Sequence, residues 1–187
     1  MVVVGIDPGN EGAIVFIDIN NGLLKSKEIF DMPTLETEGN KRKTKSGKVV
    51  TKKHTVLDEI EIRNIFISSK IDHVFLEKAQ SMPGQGAPGT FSYGCNYGIL
   101  RGICVGLEIP YTLIHPATWK RVMMANMDRG KAAAIVRAKQ LFPKADIGKK
   151  DGRAEALLLG YYGIKQNLIV EQSEPSIKKA SKIIKKK

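Results

Sequence analysis

The chain of 187 residues is 42% hydrophobic and 26% charged, proportions typical of one soluble globular domain. No apolar run approaches the roughly 18 residues of a membrane-spanning helix, and Cys95 and Cys104 lack the spacing of a zinc site or a disulfide framework. The formal net charge of +11 and the isoelectric point near 9.6 predict a polyanionic partner such as nucleic acid. An equal alternative is that the positive charge serves only to keep the protein soluble.

The first thirty residues predict an antiparallel meander of three strands. The β-branched run Val2–Ile6 stops at the turn residues Asp7-Pro8-Gly9, and Ala13–Ile19 and Leu23–Phe30 flank the hairpin signal Asn20-Asn21-Gly22. The opening run has neither a basic region nor a cleavage site, so it predicts a strand and not a signal peptide. Because a reducing compartment is the default for such cysteines, we expect a cytoplasmic location, in a bacterial cell or a phage-infected host.

Residues 36–53 interrupt the alternation of apolar and polar positions. This stretch is almost free of apolar residues and carries seven cations, which are Lys41, Arg42, Lys43, Lys45, Lys48, Lys52 and Lys53. It predicts a mobile basic loop inserted into the domain.

The rest of the chain alternates helical and strand patterns. Helical spacing covers residues 56–66, 91–107, 117–125, 130–141 and 151–166, strands are predicted at 72–76 and 110–114, and the Gly- and Pro-rich segment 81–89 is predicted to be a loop. The pattern predicts an α/β domain over residues 1–167. Residues 168–187 form a basic tail, rich in lysine from Lys178 to Lys187, for which we expect disorder.

Four acids occur at positions that the fold could bring close together. Asp7 follows the first strand and Glu77 follows the strand at 72–76, and ligands collect at the carboxyl ends of strands in an open α/β sheet. Asp151 and Glu155 are four residues apart, so they share a helix face beside apolar residues, where an unpaired carboxylate is costly. Carboxylates there need cations, and Mg²⁺ or Mn²⁺ prefers oxygen ligands. Four acids suit the two-ion arrangement used in phosphodiester cleavage.

Each acid has an ordinary interpretation when it is taken alone. Asp7 before Pro-Gly is typical of a turn, Glu77 of a solvated strand end, Asp151 of a helix cap, and Glu155 of a salt-bridged surface acid. The opening Gly5-Ile6-Asp7-Pro8-Gly9 also resembles that of sugar kinases and actin-like ATPases. Those proteins need a second half-domain, for which this chain is too short.

The segments taken together resemble the RuvC-type Holliday-junction resolvases, with the greatest similarity to the phage and plant chloroplast members. The matching segments, in order, are GIDPGNEGAIVFID (5–18), DMPT (31–34), VFLEKAQ (74–80), FSYGCNYGILRGI (91–103), HPATWKR (115–121), LFP (141–143) and KKDGRAEALLLGYYG (149–163). The resemblance runs from about residue 1 to 165. It implies an RNase H-like fold, with a mixed sheet and helices on both faces.

The resemblance also implies roles for individual residues. The acids of the family's metal site match Asp7, Glu77, Asp151 and Glu155, which would hold two Mg²⁺ or Mn²⁺ ions. The spacing of the last two departs from the bacterial pattern, in which two Asp are three residues apart, so the role of Asp151 is less defined than that of Glu155. Lys120 matches the lysine that lies near the scissile phosphate, and the alternative is an exposed helix lysine beside a packing residue, Trp119.

Contacts with DNA are expected from four further parts of the chain. Phe91 and Tyr93 would stack on unpaired bases at the junction centre, whereas Tyr97 is more readily a core residue. The seven cations of residues 41–53 and the tail would contact phosphates, as would Arg121 beside Lys120. The alternative for both charged runs is a solvated surface.

The expected activity is paired, symmetric nicking of four-way DNA junctions by a homodimer, leaving 5′-phosphate and 3′-hydroxyl ends. The small residues Gly94, Gly98, Gly102 and Gly106 share one helix face, which packs either on the sheet or on a partner subunit. Two alternatives remain open. They are a nuclease for other branched DNA, such as flaps and forks, and a junction-binding protein without catalysis.

Overall fold

Seven strands and five helices make up the described part of the chain. The computed structural model describes residues 1–20, 23–81, 84, 86–127 and 131–166. The strands are β1 (Val2–Asp7), β2 (Ala13–Asn20), β3 (Leu23–Asp31), β4 (Thr34–Lys43), β5 (Val49–Leu57), β6 (His73–Glu77) and β7 (Tyr111–Ile114). The helices are α1 (Glu59–Ile67), α2 (Ala87–Gly106), α3 (Pro116–Met123), α4 (Lys131–Leu141) and α5 (Asp151–Lys165). No helix within these ranges is long and apolar enough to cross a bilayer.

A five-stranded mixed sheet with the order β3-β2-β1-β6-β7 forms the centre of the fold. The first three strands pair antiparallel, and β6 and β7 join them in parallel. This confirms the meander and the mixed sheet of the predicted RNase H-like class. β1 is therefore a central strand, which explains its uninterrupted apolar sequence.

Helices cover both faces of this sheet, as the predicted fold class requires. On one face, Val3 and Phe75 belong to a core with Trp119 of α3 and Leu157 of α5. On the other face, neighbouring strand positions such as Val4 and Leu76 pack with Ile62 of α1 and Leu100 of α2. Since successive strand residues point to opposite faces, β1 and β6 contribute to both cores and anchor the helices on the two faces of the sheet.

The prediction of a mobile loop at residues 36–53 is wrong. Residues 34–57 form an antiparallel hairpin of β4 and β5, which makes a separate two-stranded sheet. Backbone pairing and β-branched residues such as Val49, Val50 and Thr51 support the strands. Because nearly all described side chains of the hairpin are exposed, no alternation of apolar and polar residues marks it in the sequence.

Two helix starts also differ from the sequence predictions. The helix predicted from residue 56 begins at Glu59, because Val56 and Leu57 complete β5 and the Asp58 carboxylate accepts the N–H of Glu61 as the helix cap. α2 begins at Ala87, inside the predicted loop 81–89, since a proline is tolerated in the first turn of a helix. The other predicted strands and helices are confirmed with bounds within two residues.

Parts of some predictions lie outside the described residues. These are the turn at Asn21-Gly22, residues 82, 83 and 85 of the predicted loop, and the whole tail 168–187.

One glycine lets α5 approach the central strand at backbone distance. A Cβ added to Gly5 of β1 would lie 2.1 Å from the carbonyl oxygen of Ala156. No L side chain fits there unless helix and strand separate. The contact holds the buried face of α5 on the sheet and so sets the position of the acids at the start of this helix.

Replacing Gly5 by alanine is expected to lower the free energy of unfolding by more than about 2 kcal/mol, because the backbone must shift to admit a methyl group. The matched control is Gly86→Ala, since the one described atom within 4 Å of a Cβ at Gly86 is Pro88 Cδ at 3.8 Å, an ordinary contact. That change should leave the free energy of unfolding within about 0.5 kcal/mol of wild type. Urea unfolding of both variants measures the difference, and equal stabilities would contradict the role given to Gly5.

Candidate active site

Two acids lie side by side at one edge of the central sheet. Asp7 is the last residue of β1 and Glu77 the last residue of β6, and the parallel register pairs Ile6 with Leu76 immediately before them. The carboxyl ends of adjacent parallel strands meet at the same edge, which is where ligands bind in such sheets. The structure brings these two predicted site residues together.

The start of α5 supplies two more acids. Asp151 is the first residue of the helix and not its cap. A Cβ on Gly152 would lie 2.3 Å from the carbonyl oxygen of Glu11, so the helix begins directly against the turn between β1 and β2. This close approach brings Asp151 and Glu155 near Asp7, where their negative charges act on its carboxyl group. We call Asp7, Glu77, Asp151 and Glu155 the acid cluster.

Two consecutive residues of α3 each hold one glutamate of the acid cluster. The indole Nε1–H of Trp119 donates to Glu77 Oε2 at 2.7 Å, and Trp119 is fully buried. The Lys120 ammonium donates to both carboxylate oxygens of Glu155 at 2.8 Å and lies 5.1 Å from the centre of the Trp119 ring. Lys120 is thus partly buried against the acid cluster and is not an exposed helix lysine, whereas its role near a scissile phosphate stays a prediction.

The electrostatics of the cluster disfavour ionisation of the two strand acids. Burial raises the pKa of Glu77 to about 7, although the bond from Trp119 opposes the rise and the charge of Asp7 adds to it. Burial likewise raises the pKa of Asp7 to about 6, with a further contribution from Glu155. Burial and the same carboxylates also raise the pKa of the Tyr93 hydroxyl. Gathered acids with perturbed pKa values are typical of functional sites.

Two clefts flank the acid cluster. The first, of about 610 Å³, lies between β6 and α3 and is lined by Glu77, Lys78, Gln80, Tyr93 and Lys120 among others. The second, of about 450 Å³, lies between the root of the β4–β5 hairpin and the start of α5, and its lining includes Asn10, Asp31, Thr34, Lys150 and Asp151. The acids are therefore reached from both sides by open grooves that combine charged side chains with apolar surface.

An ion-pair network fastens the start of α5 to the sheet. Asp31, the last residue of β3, accepts from Arg153 Nε at 2.7 Å and from Lys150 Nζ at 2.7 Å. Arg153 also bonds the carbonyl and the carboxylate of Asp146. The bond from Arg153, with the neighbouring lysine, lowers the pKa of Asp31 to about 2. Asp31, the first residue of the segment DMPT, thus positions the helix that carries Asp151 and Glu155.

The donor chemistry of the site fits a hard divalent cation, although the side chains are not arranged around one. All four acids offer only oxygen atoms, the ligands that Mg²⁺ and Mn²⁺ prefer. Within the described ranges, no group of three His, Cys, Asp or Glu side chains is placed to hold a metal ion. The Lys120 ammonium pairs with Glu155 and the Trp119 indole N–H donates to Glu77, so both carboxylates have protein partners in place of a metal ion.

The residues predicted to contact DNA fall into separate places. Phe91 is 74% exposed at the start of α2, whereas Tyr97 packs partly against the core beside Arg101. Tyr93, predicted to stack on an unpaired base, is half-buried beside the acid cluster. Arg121 is exposed on α3. The basic residues of 41–53 lie on the hairpin, and the side chains of Arg42 and Lys52 are outside the described part of the structure.

Two features in and around the site were not predicted from the sequence. Trp119 was interpreted as a packing residue, although a buried indole N–H requires an acceptor and therefore signals a polar neighbour. The buried Asn96 of α2 donates to Asn10 Oδ1 at 2.6 Å, and Asn10 Nδ2 donates to the carbonyl of Thr55 in β5 at 3.3 Å. No local pattern in the sequence indicates that chain of hydrogen bonds.

Comparison with solved structures identifies the fold. The chain is similar to Thermus thermophilus RuvC in complex with a Holliday junction substrate, with a TM-score of 0.61 and 12% identity over 89% of this chain and 94% of that one. It is similar to Thermus thermophilus RuvC without DNA, with a TM-score of 0.57 and 13% identity over 89% and 97% of the two chains. It is also similar to the yeast mitochondrial Holliday junction resolvase Ydc2, with a TM-score of 0.53 and 13% identity over 89% of this chain and 79% of that one.

No protein-family model matches the sequence, and no curated protein matches it either. The structural comparisons confirm the predicted RuvC-type, RNase H-like fold. The expected closeness to phage and chloroplast resolvases stays a prediction.

Proposed function

We propose that the protein is a metal-dependent DNA endonuclease that resolves four-way junctions by paired, symmetric nicks. The observation that carries this proposal is the convergence of Asp7, Glu77 and the Glu155–Lys120 pair at one edge of a RuvC-type sheet. The net charge of +11 supports a DNA substrate, and the fold is shared with Holliday junction resolvases.

The acid cluster would hold the metal. Asp7, Glu77, Asp151 and Glu155 are the ligands that this proposal requires, with Mg²⁺ or Mn²⁺ as the ion. Two bound ions would supply an activated water and would stabilise the leaving 3′-oxygen, so that hydrolysis leaves 5′-phosphate and 3′-hydroxyl ends. The raised pKa values of Asp7 and Glu77 support the proposal, because burial disfavours the charged form of both carboxyl groups, the neighbouring acids add to this, and a bound cation would offset both effects.

Lys120 and Tyr93 would receive the phosphodiester. The Lys120 ammonium, paired with Glu155, lies within the acid cluster, and its positive charge reduces the repulsion of an incoming phosphate. Tyr93 lines the same cleft as Glu77 and Lys120 and holds a neutral hydroxyl group that can donate to a phosphate oxygen or lie against a base. Phe91, two residues earlier and largely exposed, would stack on an unpaired base.

A homodimer would provide the two active sites that paired nicks require. In the described structure, the face of α2 with Gly94, Gly98, Gly102 and Gly106 meets no atom within 4 Å of added Cβ positions. The glycine face is therefore open, and not packed on the sheet, which supports a subunit contact there. Val105, highly exposed on the same helix, would add apolar area.

The decisive experiment uses the purified chain with an immobile four-way junction, a flap and a linear duplex, each end-labelled, with and without Mg²⁺. We expect paired nicks at symmetric positions in the junction, only with the metal, and rejoining of the products by a ligase. Equal cleavage of the flap would show that the protein is a general nuclease for branched DNA and is not specific for four-way junctions. Tight binding without nicks under Mg²⁺ or Mn²⁺ would reject the catalytic function.

Trp119→Phe is expected to raise the Mg²⁺ concentration for half-maximal nicking about tenfold, the usual cost of losing a group that orients a metal ligand. The phenyl ring keeps most of the packing but cannot donate to Glu77. Nicking at saturating Mg²⁺ should change little, whereas a purely structural role would lower it at every metal concentration.

Trp119 also provides a readout without catalysis, because it is the only tryptophan in the chain. In the wild-type protein, its fluorescence should respond to Mg²⁺ in the absence of DNA. Glu77→Gln should remove the response. A response of equal size in that variant would show that the metal does not reach Glu77.

A further inference from the structure

The β4–β5 hairpin, residues 34–57, is a two-stranded ribbon outside the central sheet. Among its described side chains from residue 34 to 56, nearly all are exposed, on both faces of the ribbon. They include the apolar residues Leu35, Val49, Val50 and Val56. An isolated hairpin of this kind is only marginally stable in water. A ribbon with two exposed faces is therefore best explained as a surface that contacts another molecule.

All charged residues in the distal half of the hairpin are cationic. No acid occurs between Glu38 and Asp58 in the sequence. The exposed lysines of this half are Lys41, Lys43, Lys45 and Lys48. Closer to the root, Lys53 forms an ion pair with Glu36, so the positive charge is concentrated towards the tip. Such a tip repels a second copy of itself and attracts a polyanion.

Hydrogen bonds close the tip into a defined turn. The N–H of Thr44 donates to the carbonyl of Lys48 at 2.8 Å, and the N–H of Gly47 donates to the carbonyl of Thr44 at 2.9 Å. Gly47 has φ 80°, a conformation that favours glycine. The Thr44 hydroxyl also donates to the Lys48 carbonyl at 3.2 Å. The lysines on either side of this turn are thus carried by an ordered ribbon.

The dimensions of the hairpin match a DNA groove. Strands of ten and nine residues, at about 3.3 Å per residue, make a ribbon on the order of 30 Å long. The major groove of B-form DNA, about 12 Å wide, admits a two-stranded β-ribbon. Lysines along the edges of a ribbon in that groove can reach the phosphates on both sides.

The root of the hairpin is tied to the candidate active site. Leu57, at the end of β5, is buried in the core. Asn10, in the turn that follows Asp7, donates to the carbonyl of Thr55 and accepts from the buried Asn96. The cleft of about 450 Å³ runs from Thr34 at the root to Asp151. The hairpin therefore has a fixed relation to the acid cluster, and an open groove joins the two.

We propose that the hairpin enters the major groove of one duplex arm of the DNA substrate and sets the register of that arm against the acid cluster. This inference rests on the proposed function in taking branched DNA as the substrate. Binding by the ribbon depends on phosphate charge and groove shape, so it applies to any arm sequence.

The test compares two variants of the full chain with the same change in charge. The hairpin variant carries K41Q, K43Q, K45Q and K48Q. The control variant carries K25Q, K70Q, K139Q and K144Q, four exposed lysines away from the hairpin and the acid cluster. Binding to a labelled junction is measured in EDTA from 50 to 250 mM salt, together with protection of guanine N7, which lies in the major groove, from dimethyl sulfate.

For the hairpin variant, we expect the salt dependence of binding to fall by about 0.9 for each lost phosphate contact, and by about 3 to 4 in total. The protected guanines on one arm should become reactive. The control variant should keep the wild-type protection pattern and most of the wild-type slope. Circular dichroism of both variants verifies that they fold.

Equal binding and protection by the two variants would overturn the inference. A hairpin variant that loses self-association in size-exclusion chromatography but keeps the footprint would also overturn it, by making the hairpin a contact between copies of the chain. Nicking with Mg²⁺ separates this inference from the proposed function. Normal junction nicking by a hairpin variant with an intact footprint would reject only the hairpin's role, whereas absence of nicking by the wild-type protein would reject the function itself.

Discussion

Glu155→Gln is expected to reduce junction nicking at least about a thousandfold at any Mg²⁺ concentration. The change removes one negative charge from the acid cluster and leaves the Lys120 ammonium, now bound to both carboxylate oxygens at 2.8 Å, without its counter-charge. Single-turnover nicking of a labelled junction measures the loss. Binding to the junction in EDTA should stay equal or become tighter, because a negative charge that repels phosphate is gone.

Glu11→Gln is the matched control for this experiment. Glu11 lies in the turn between β1 and β2, close to the start of α5, but its side chain is exposed. Its replacement should leave the nicking rate within about twofold of wild type, as surface changes of this kind usually do little. Comparable losses in Glu11→Gln and Glu155→Gln would mean that general electrostatics, and not a ligand role of Glu155, controls the activity.

Glu77→Gln is expected to stabilise the metal-free protein at pH 8 while abolishing nicking. The folded-state pKa of Glu77 is about 7, above its ordinary value of 4.5, because the carboxyl group is buried. Its contribution to stability is thus fully present below pH 4.5 and is lost as the pH rises through about 7. A neutral amide avoids this loss and still accepts the N–H of Trp119. The expected gain at pH 8 is on the order of 3 kcal/mol.

Urea unfolding in EDTA between pH 4.5 and 8 measures this effect as the difference between variant and wild type. The difference should be close to zero at pH 4.5 and largest at pH 8, and Mg²⁺ should stabilise the wild-type protein more than the variant. Glu59→Gln, at an exposed position of α1, is the control and should show no such pH dependence. A constant or inverted difference would show that Glu77 ionises freely in the folded protein.

Much of the fold follows from local sequence patterns. The apolar run of β1, flanked by turn residues, indicates a central strand, and the structure places it between β2 and β6. Asp7 and Glu77 could be located because each directly follows such a strand, and the carboxyl ends of strands are where sites form. These predictions rest on short-range regularities, the period of two in strands and the residues that end them.

The β4–β5 hairpin could not be predicted from the pattern of apolar and polar residues. Its strands bury almost nothing, so the sequence carries charges and threonines but no alternation that marks a strand. Only cross-strand pairing, such as that of Leu35 with Val56, defines it. Such pairing depends on the partner strand, so the residue pattern of either strand alone does not predict it. The charges of residues 41–53 were visible in the sequence, but not the ribbon that presents them.

By itself, the sequence determined the strand order of the meander, the helical segments, the positive charge and the four acids, because these depend on residue type and spacing. Only the tertiary structure decided which partners the acids have. Trp119 contacts Glu77 and Lys120 contacts Glu155 because α3 packs against both β6 and α5, which brings together residues that are 42 and 35 positions apart in the chain. Burial among those elements, and not the residue type, raises the pKa of Glu77 and makes this edge of the sheet a candidate active site.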